Sequence, residues 1–342
     1  MSQGRWFDID SPDWGKALAG LEHDVYHLPG YAALEAHRMG GEARLFVYDE
    51  RNLRFLLPLV LRPIDDSDKF DAISPYGYPG PIVSSGARAN FIERASRALI
   101  DALSDLRLVS AFVRMHPLLS PDPDHLDVAG TLVKHGQTVS IDLRQPEDVM
   151  WTAIRAGHRT EIRHSSEKGL AFFADPAWSK LDEFLSLYTA TMKRLSAADE
   201  YFFDRAYFTG LRGLPAAQIQ LACVTHEETL LAAGVFTEVE GLVQYHLSAS
   251  QQIDRRLQPT KLLLDQVRRW AAGQGHHTLH LGGGVGGRKD GLFGFKAGFS
   301  KSRHDFFTWR LVPDATAYER LCASTGVEAG LGFFPAYRQK PL

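Results

Sequence analysis

Two stretches of the chain repeat one arrangement of apolar and polar positions. Period-two alternation and β-branched or aromatic runs predict strands over residues 43–48 and 53–61, a broken strand and loop over 72–83, and a strand over 108–114, with apolar residues at helical spacing over 90–103. The same order returns later, with strands over 219–225, 230–238 and 242–249, a helix over 261–272 and a strand over 278–281. Helices over 17–23 and 31–38 precede the first set, and helices over 180–193 and 205–213 precede the second. Between them lie a loop rich in proline and aspartate over 117–127, a strand over 137–143 and a helix over 147–168. A duplicated α/β (α+β) unit, mixed sheets flanked by helices, is the simplest account, divided as 1–145 and 146–342 with the bridging helix in the second domain. No charged heptads of a coiled-coil arm are present.

Length agrees: 342 residues exceed one ordinary core and suit two domains of about 150 residues. At 44% hydrophobic and 23% charged, the composition is that of a soluble globular protein. No run approaches the roughly 18 apolar residues of a membrane span, and Met1-Ser-Gln-Gly-Arg5 lacks the apolar core of a signal peptide, so a cytoplasmic location is expected. Cys223 and Cys322 are too few for a disulfide framework and are read as small buried hydrophobes. A net charge of -3 disfavours broad nonspecific nucleic-acid binding without excluding the end of a tRNA.

Residues 259–299 carry the most chemistry. In 261–272, Leu262, Leu263, Val267, Trp270 and Ala271 share a face, and Lys261, Asp265, Gln266, Arg268 and Arg269 are expected on the other. Thr260 is the expected N-cap, placing the positive helix end toward an anion or leaving an ordinary capped helix. Gly282, Gly283, Gly284, Gly286 and Gly287 follow the last strand and permit close approach to the main chain. Three of them fit GxGxxG, but Arg288-Lys289-Asp290-Gly291 is a poor helix start and no acidic residue stands about 20 positions on, which excludes a dinucleotide fingerprint. Arg288 also stands where a phosphate loop needs lysine.

Basic residues gather at Arg155, His158, Arg159, Arg163, His164 and Lys168, and again at Arg255, Arg256, Lys261, Arg268, Arg269, Arg288 and Lys289. Spacing of four puts Arg155, Arg159 and Arg163 on one stripe, which a solvated helix face would also show; the second group is the better phosphate candidate. His276, His277 and His280 look metal-like, but strand alternation turns His277 away and no third ligand is in sight, so they are read as structural and no metal or other cofactor is expected. No GxSxG elbow is present for a serine hydrolase.

Leu281-Gly-Gly-Gly284 followed by Asp290-Gly-Leu-Phe-Gly-Phe-Lys296-Ala-Gly-Phe299 resembles the closing motif of the Fem-type peptidyltransferases and their acetyltransferase-like (GNAT) relatives. Trp151 to Arg163 with Lys168-Gly169-Leu170 is similar to that family's helix of spaced arginines. Ser74-Pro-Tyr-Gly-Tyr-Pro-Gly-Pro81 resembles its first substrate loop, and His246 to Ser250 with Pro259-Thr260-Lys261 its second strand and helix start. The resemblance spans about residues 25–310. It implies two tandem acetyltransferase-like domains and an amide bond formed by attack of an amine on an activated acyl group. In that family Lys296 lies near the donor and acceptor, and Phe295 is available to stack on the terminal adenine.

The candidate catalytic residue is therefore Lys296, the alternative being a surface lysine after a core phenylalanine pair. Candidate binding residues are Phe295, Tyr76, Tyr78, Arg194, His246, Thr260, Lys261, Gly283 and Gly284. Tyr76 and Tyr78 sit in a proline-stiffened loop as a platform for a sugar, peptide or base, or as a plug of the domain's own core. Arg194 ends a helix and would hold an acceptor phosphate or carboxylate; His246 would touch substrate or be a buried hydrogen-bonded histidine. A coenzyme A site wants glycines before the second-half helix, where Arg256-Leu-Gln-Pro259-Thr-Lys261 places proline and lysine. The expected function is transfer of an amino acid from aminoacyl-tRNA to an amine of a peptide-like acceptor, an antibiotic peptide intermediate or a peptidoglycan precursor. The alternatives are an acyl coenzyme A N-acyltransferase and a non-catalytic peptide- or glycan-binding module.

Overall fold

The structure is a computed structural model describing residues 4–65, 67–252, 257–328, 330 and 332–339. It divides into one unit of residues 1–135 and 305–342 and a second of residues 136–304. The C-terminal segment thus belongs with the first unit, whereas the sequence pattern placed all of 146–342 together.

The first unit opens with strand β1 (Gly4–Asp8), helices α1 (Asp13–Leu18) and α2 (Pro29–Met39), and strands β2 (Glu42–Glu50), β3 (Leu53–Pro63), β4 (Phe70–Ile73) and β5 (Ile82–Val83). Helix α3 (Ala89–Asp105) and strand β6 (Leu108–Arg114) follow. The helix expected at 17–23 lies earlier: α1 ends at Leu18, and Gly20 takes φ +78° where a right-handed helix would need a negative value. Phe91, Ile92, Ala95, Leu99, Ala102 and Leu103 of α3 recur every three or four residues and are buried with Phe46, Phe55, Leu57 and Trp309. Burying each such side chain contributes roughly 1.5–3 kcal/mol.

Strand β7 (Thr131–Asp142) leads into the second unit, which continues with α4 (Glu147–Ala153), α5 (Ala156–Glu167), β8 (Ala171–Asp175), α6 (Leu181–Arg194) and α7 (Arg205–Arg212). Strands β9 (Gln218–His226), β10 (Thr229–Val239) and β11 (Leu242–Ser250), helix α8 (Pro259–Gly273), strand β12 (Thr278–Gly282) and short helix α9 (Gly291–Lys296) complete it. Strand β13 (Ser302–Leu311) returns to the first unit, which ends with α10 (Ala315–Thr325). The single helix expected over 147–168 is two, because Ile154 and Arg155 are extended and the Arg155 amide donates to the Gly298 carbonyl at 2.8 Å.

Each unit repeats one topology. In the first the strand order is β1-β2-β3-β4-β6-β13, and β4 and β6, joined through α3, are parallel. In the second it is β7-β12-β11-β10-β9-β8, and β11 and β12, joined through α8, are parallel. The remaining registered pairs are antiparallel, so each unit has one crossover where two parallel strands meet. In the second unit that pairing stops at Gln244↔His280. Tyr245 and the glycine turn therefore lie where the two strands part.

Helix α8 buries Leu262, Leu263, Val267 and Ala271, as its pattern predicts, with Trp270 partly buried, but Leu264, Asp265 and Arg268 are buried too, the last two rather than on an outer polar face. Their charges are matched: Arg268 meets Asp265 at 2.6 Å and Glu147 at 2.6 Å, and Arg269 meets the same two carboxylates. Cys223 and Cys322 are buried and unbridged. Among the described residues no helix is long and apolar enough to cross a membrane.

Candidate active site

Register shifts flank the point where β11 and β12 separate. One lies at Val235/Phe236 in the β10–β11 pairing and one at His280/Gly282 in the β12–β7 pairing. Phe236 stacks on Tyr245, ring centroids 5.3 Å apart, holding the Tyr245 ring at the opening. The chain leaving β12 turns back through Gly283 and Gly284 and enters α9, whose last residue is Lys296. Asp290 is the N-cap: its carboxylate accepts from Phe293 N at 2.9 Å and also from Val285 N at 2.9 Å. The segment read as a poor helix start is therefore a good one, with Asp290 rather than Arg288 as the entry.

What approaches the glycine turn is the protein itself. A Cβ on Gly284 would stand 2.1 Å from the Arg288 carbonyl oxygen, and one on Gly283 would stand 2.9 Å from the Gln137 carbonyl oxygen. These glycines shape the turn that delivers Lys296.

Lys296 is buried, 9% exposed, not on the surface. Its Nζ donates to the Gly283 carbonyl at 2.9 Å and lies 5.5 Å from the Tyr245 ring centroid. Of the three ammonium donors, one is thus used, and the other two have no partner among the described residues. Burial lowers the Lys296 pKa from its ordinary value to about 8, opposed by the charge of Asp290. Tyr245 is pushed up to about 12 by burial, against a hydrogen bond between its hydroxyl and Ser248.

Phe295 packs on His158 and Phe299, with centroids 5.9 and 5.5 Å away, and its carbonyl takes a 3.0 Å hydrogen bond from His158 Nε2. Burial lowers the His158 pKa, keeping the ring neutral near pH 7. Gly298 has to be glycine beside it, since a Cβ there would come 2.3 Å from His158 Nε2. His158 also reaches Glu161 at 3.8 Å, and Glu161 pairs with Lys261 at 2.6 Å. Lys261 thereby joins the same network through α5. The spacing of the sequence flagged His158 only as one basic residue among several; its contact with Phe295 spans 137 positions and is invisible to local pattern. Tyr245, Glu161 and Ser248 were missed for the same reason.

Thr260 is not the N-cap. Helix α8 begins at Pro259 with Gln258 as cap, and Thr260 stands inside the first turn. Arg255 and Arg256 lie outside the described residues. Arg194 and His246 have other partners: Arg194 donates to the Ser250 carbonyl at 3.0 Å, and His246 Nε2 meets the Tyr207 hydroxyl at 3.1 Å with its ring stacked on Tyr207. Tyr245 packs against the core that includes Leu262 and Leu263 of α8, whereas His246 meets Tyr207 of α7. His276, His277 and His280 are each held by protein groups, Glu238 at 2.9 Å, the Glu240 carbonyl at 2.9 Å, and Gln244 at 2.7 Å with Thr138 at 2.9 Å.

Tyr76 and Tyr78 are in the first unit, on the loop that follows β4. The loop is fixed by buried groups: Glu35 accepts from Tyr76 N at 3.2 Å, Tyr31 donates to the Tyr76 carbonyl at 3.0 Å, and His27 bonds the Gly80 carbonyl at 2.9 Å. The Tyr78 ring meets Tyr26, Phe306 and His116 edge-on. Both tyrosines remain partly exposed.

Residues 153–295 match the family model for the acetyltransferase (GNAT) domain, ending one residue before Lys296. The sequence matches no curated protein. Among solved structures, the chain is similar to the crystal structure of FemX, with a TM-score of 0.67 and 13% identity over 93% of this chain and 99% of that one. It is similar also to the C-terminal domain (DUF2156) of a putative lysylphosphatidylglycerol synthetase from Agrobacterium fabrum, TM-score 0.55 and 14% identity over 93% and 96% of the two chains. A tandem GNAT protein from the clavulanic acid biosynthesis pathway matches with TM-score 0.50 and 10% identity over 92% and 100%. Residues 153–295 thus match the acetyltransferase (GNAT) domain, and the fold of the chain is that of FemX and of a tandem GNAT protein, the fold that its closing motif leads one to expect.

Proposed function

We propose that this GNAT-fold acyltransferase moves an amino acid from an aminoacyl-tRNA to an amine of a peptide-like acceptor. The observation that carries the donor assignment is the start of α8. Proline at its first position removes a backbone donor, and the Lys261 side chain fills the space near Glu161 where a coenzyme A pyrophosphate turn wants bare glycine amides. The likeness in fold to FemX and to a domain of a putative lysylphosphatidylglycerol synthetase supports the same direction.

The chemistry needs little beyond positioning, because an aminoacyl ester is already activated. A neutral acceptor amine attacks the ester carbonyl, the C–N bond forms, the bond to the ribose oxygen breaks, and the proton lost by nitrogen leaves with that oxygen. Lys296 presents two unused ammonium donors at the end of a fixed turn, suited to stabilise the oxyanion as it develops. With a pKa of about 8 it is also suited to hand a proton to the departing ribose oxygen and regain one from the amine. Tyr245 offers an aromatic face next to that ammonium, and Phe295, the preceding residue, packs on His158 and Phe299. In this reading the protein works in the cytoplasm, where charged tRNA is found.

A second reading, an acyl coenzyme A N-acyltransferase, is favoured by the GNAT match over residues 153–295. Incubating the protein with charged tRNA, with acetyl coenzyme A and with a panel of peptide amines separates the two. Amide formation from tRNA alone supports the proposal; formation from coenzyme A alone overturns it.

A further inference from the structure

In the second unit, Trp151 of α4 is flanked by two guanidinium groups, Arg163 of α5 at 5.2 Å and Arg269 of α8 at 5.4 Å from the ring centroid. Together with Ile162, Ser166, Glu167, Asp265 and Gln266 these line an open cavity of about 430 Å³. The two arginines differ in how their charge is met. Arg269 is neutralised by Asp265 and Glu147, whereas Arg163 is exposed, has no hydrogen bond or ion pair among the described residues, and lies along the face of Trp151. Even Glu167, one turn further on, leaves it unpaired.

Arg163 continues a stripe. Arg155 and Lys168 are exposed, and Arg159, half-buried, donates to the carbonyls of Thr152 and Ile154 and so keeps its full positive charge. Two of the acids nearby are engaged, Glu161 by Lys261 and Glu147 by Arg268 and Arg269, while Glu167 sets one negative charge against the four basic residues of this stretch. In a chain of net charge -3, α5 is therefore a local surplus of positive charge, with its arginines about 6 Å apart along the axis. The same helix carries His158, which bonds the Phe295 carbonyl, and Arg163 stands about 7.5 Å further along. The stripe thus leads away from the residues that would receive the reactive end of a donor.

We propose that the α5 face centred on Trp151 and Arg163 docks the sugar-phosphate backbone of the donor RNA, an inference that rests on the aminoacyl-tRNA reading above. Trp151 packs beside the Arg163 guanidinium without neutralising it, so a phosphate would meet its fork of donors, with the indole beside it for a sugar or an unstacked base. Contacts of this kind carry no sequence information and position the RNA.

The test compares two donors carrying the same amino acid, a full tRNA and the terminal CCA trinucleotide, with the full-length protein. For Arg163→Gln we expect tRNA binding to weaken about fivefold or more, the slope of log Kd against log salt to fall by about one, and transfer from the trinucleotide to stay unchanged. Arg163→Lys keeps the charge and is expected to retain the salt slope. If the wild-type protein uses tRNA but Arg163→Gln leaves its binding and salt slope unaltered, the docking surface is wrong. Equal loss with both donors would place the effect at the acyl site or in the fold and overturns it as well. If the wild-type protein accepts neither RNA donor, the donor reading fails, and this inference fails with it.

Discussion

Lys296 combines two opposing requirements that a titration can separate. Burial holds its pKa near 8 against an ordinary 10.5, so between those values the unfolded chain binds more protons than the folded one and stability rises with pH. Below pH 8 the cost is present in full. Lys296→Met is therefore expected to stabilise the fold at pH 7 by on the order of 2 kcal/mol, an advantage that fades as pH rises through 8 to 10.5. Thermal unfolding across that range checks the sign. The same substitution should lower transfer at least tenfold, about 1.4 kcal/mol of transition-state stabilisation. An unchanged rate would remove Lys296 from the mechanism. The aromatic surroundings make a further expectation: replacing Tyr245 by Leu withdraws the ring face from the ammonium and moves the Lys296 pKa lower, while Tyr245→Phe leaves it in place. Direct observation of the lysine ammonium by NMR measures this whether or not substrate is present.

At the scale of elements, the turn from Gly282 into α9 depends on backbone fit. Gly284→Ala would drive a methyl into the Arg288 carbonyl and the Asp290 carboxylate, and a loss of about 2–3 kcal/mol is expected from denaturant unfolding. Asp290→Ala removes the cap of α9, worth about 1 kcal/mol, and also the charge that supports the Lys296 ammonium, so the lysine pKa should fall further. Elements with strong periodicity were legible in the sequence: β2, β3, β9, β10, β11, α3 and α8 stand where alternation or helical spacing places them. The short strands β1 and β8 were not, because Gly4–Asp8 and Ala171–Asp175 are five residues each and owe their conformation to pairing with β2 and β9. Strand β13 mixes charge with aromatics, and its form comes from its pairing with β6. Helix α8 shows where spacing misleads. Its buried Asp265 and Arg268 read as polar-face residues because Glu147, the second carboxylate on Arg268, stands more than a hundred positions away. In the site, the motif located Lys296 and the glycine turn, but not Tyr245 or His158, whose roles arise from contacts across the fold.

For the whole molecule, the duplicated three-strand, helix, strand pattern is real in both units, and each has one parallel pair beside its crossover helix. The second unit is a continuous segment with its own core, from Val139 and Ile141 through Val243 and Leu263 to Phe299. Residues 136–304 expressed alone are expected to unfold cooperatively and to keep the lowered Lys296 pKa; a fragment without a cooperative transition would show that this core is insufficient. The central proposal is that Lys296, buried at the end of the glycine turn, serves an acyl group delivered by RNA. The most direct test is a single-turnover experiment in which the protein, an amine acceptor and a tRNA carrying a labelled amino acid are mixed, and the label is followed into product. The account predicts that the label moves from the tRNA ester to an acceptor amide, at least tenfold more slowly with Lys296→Met. Label that stays on the tRNA, while acetyl coenzyme A acylates the same acceptor, would contradict it.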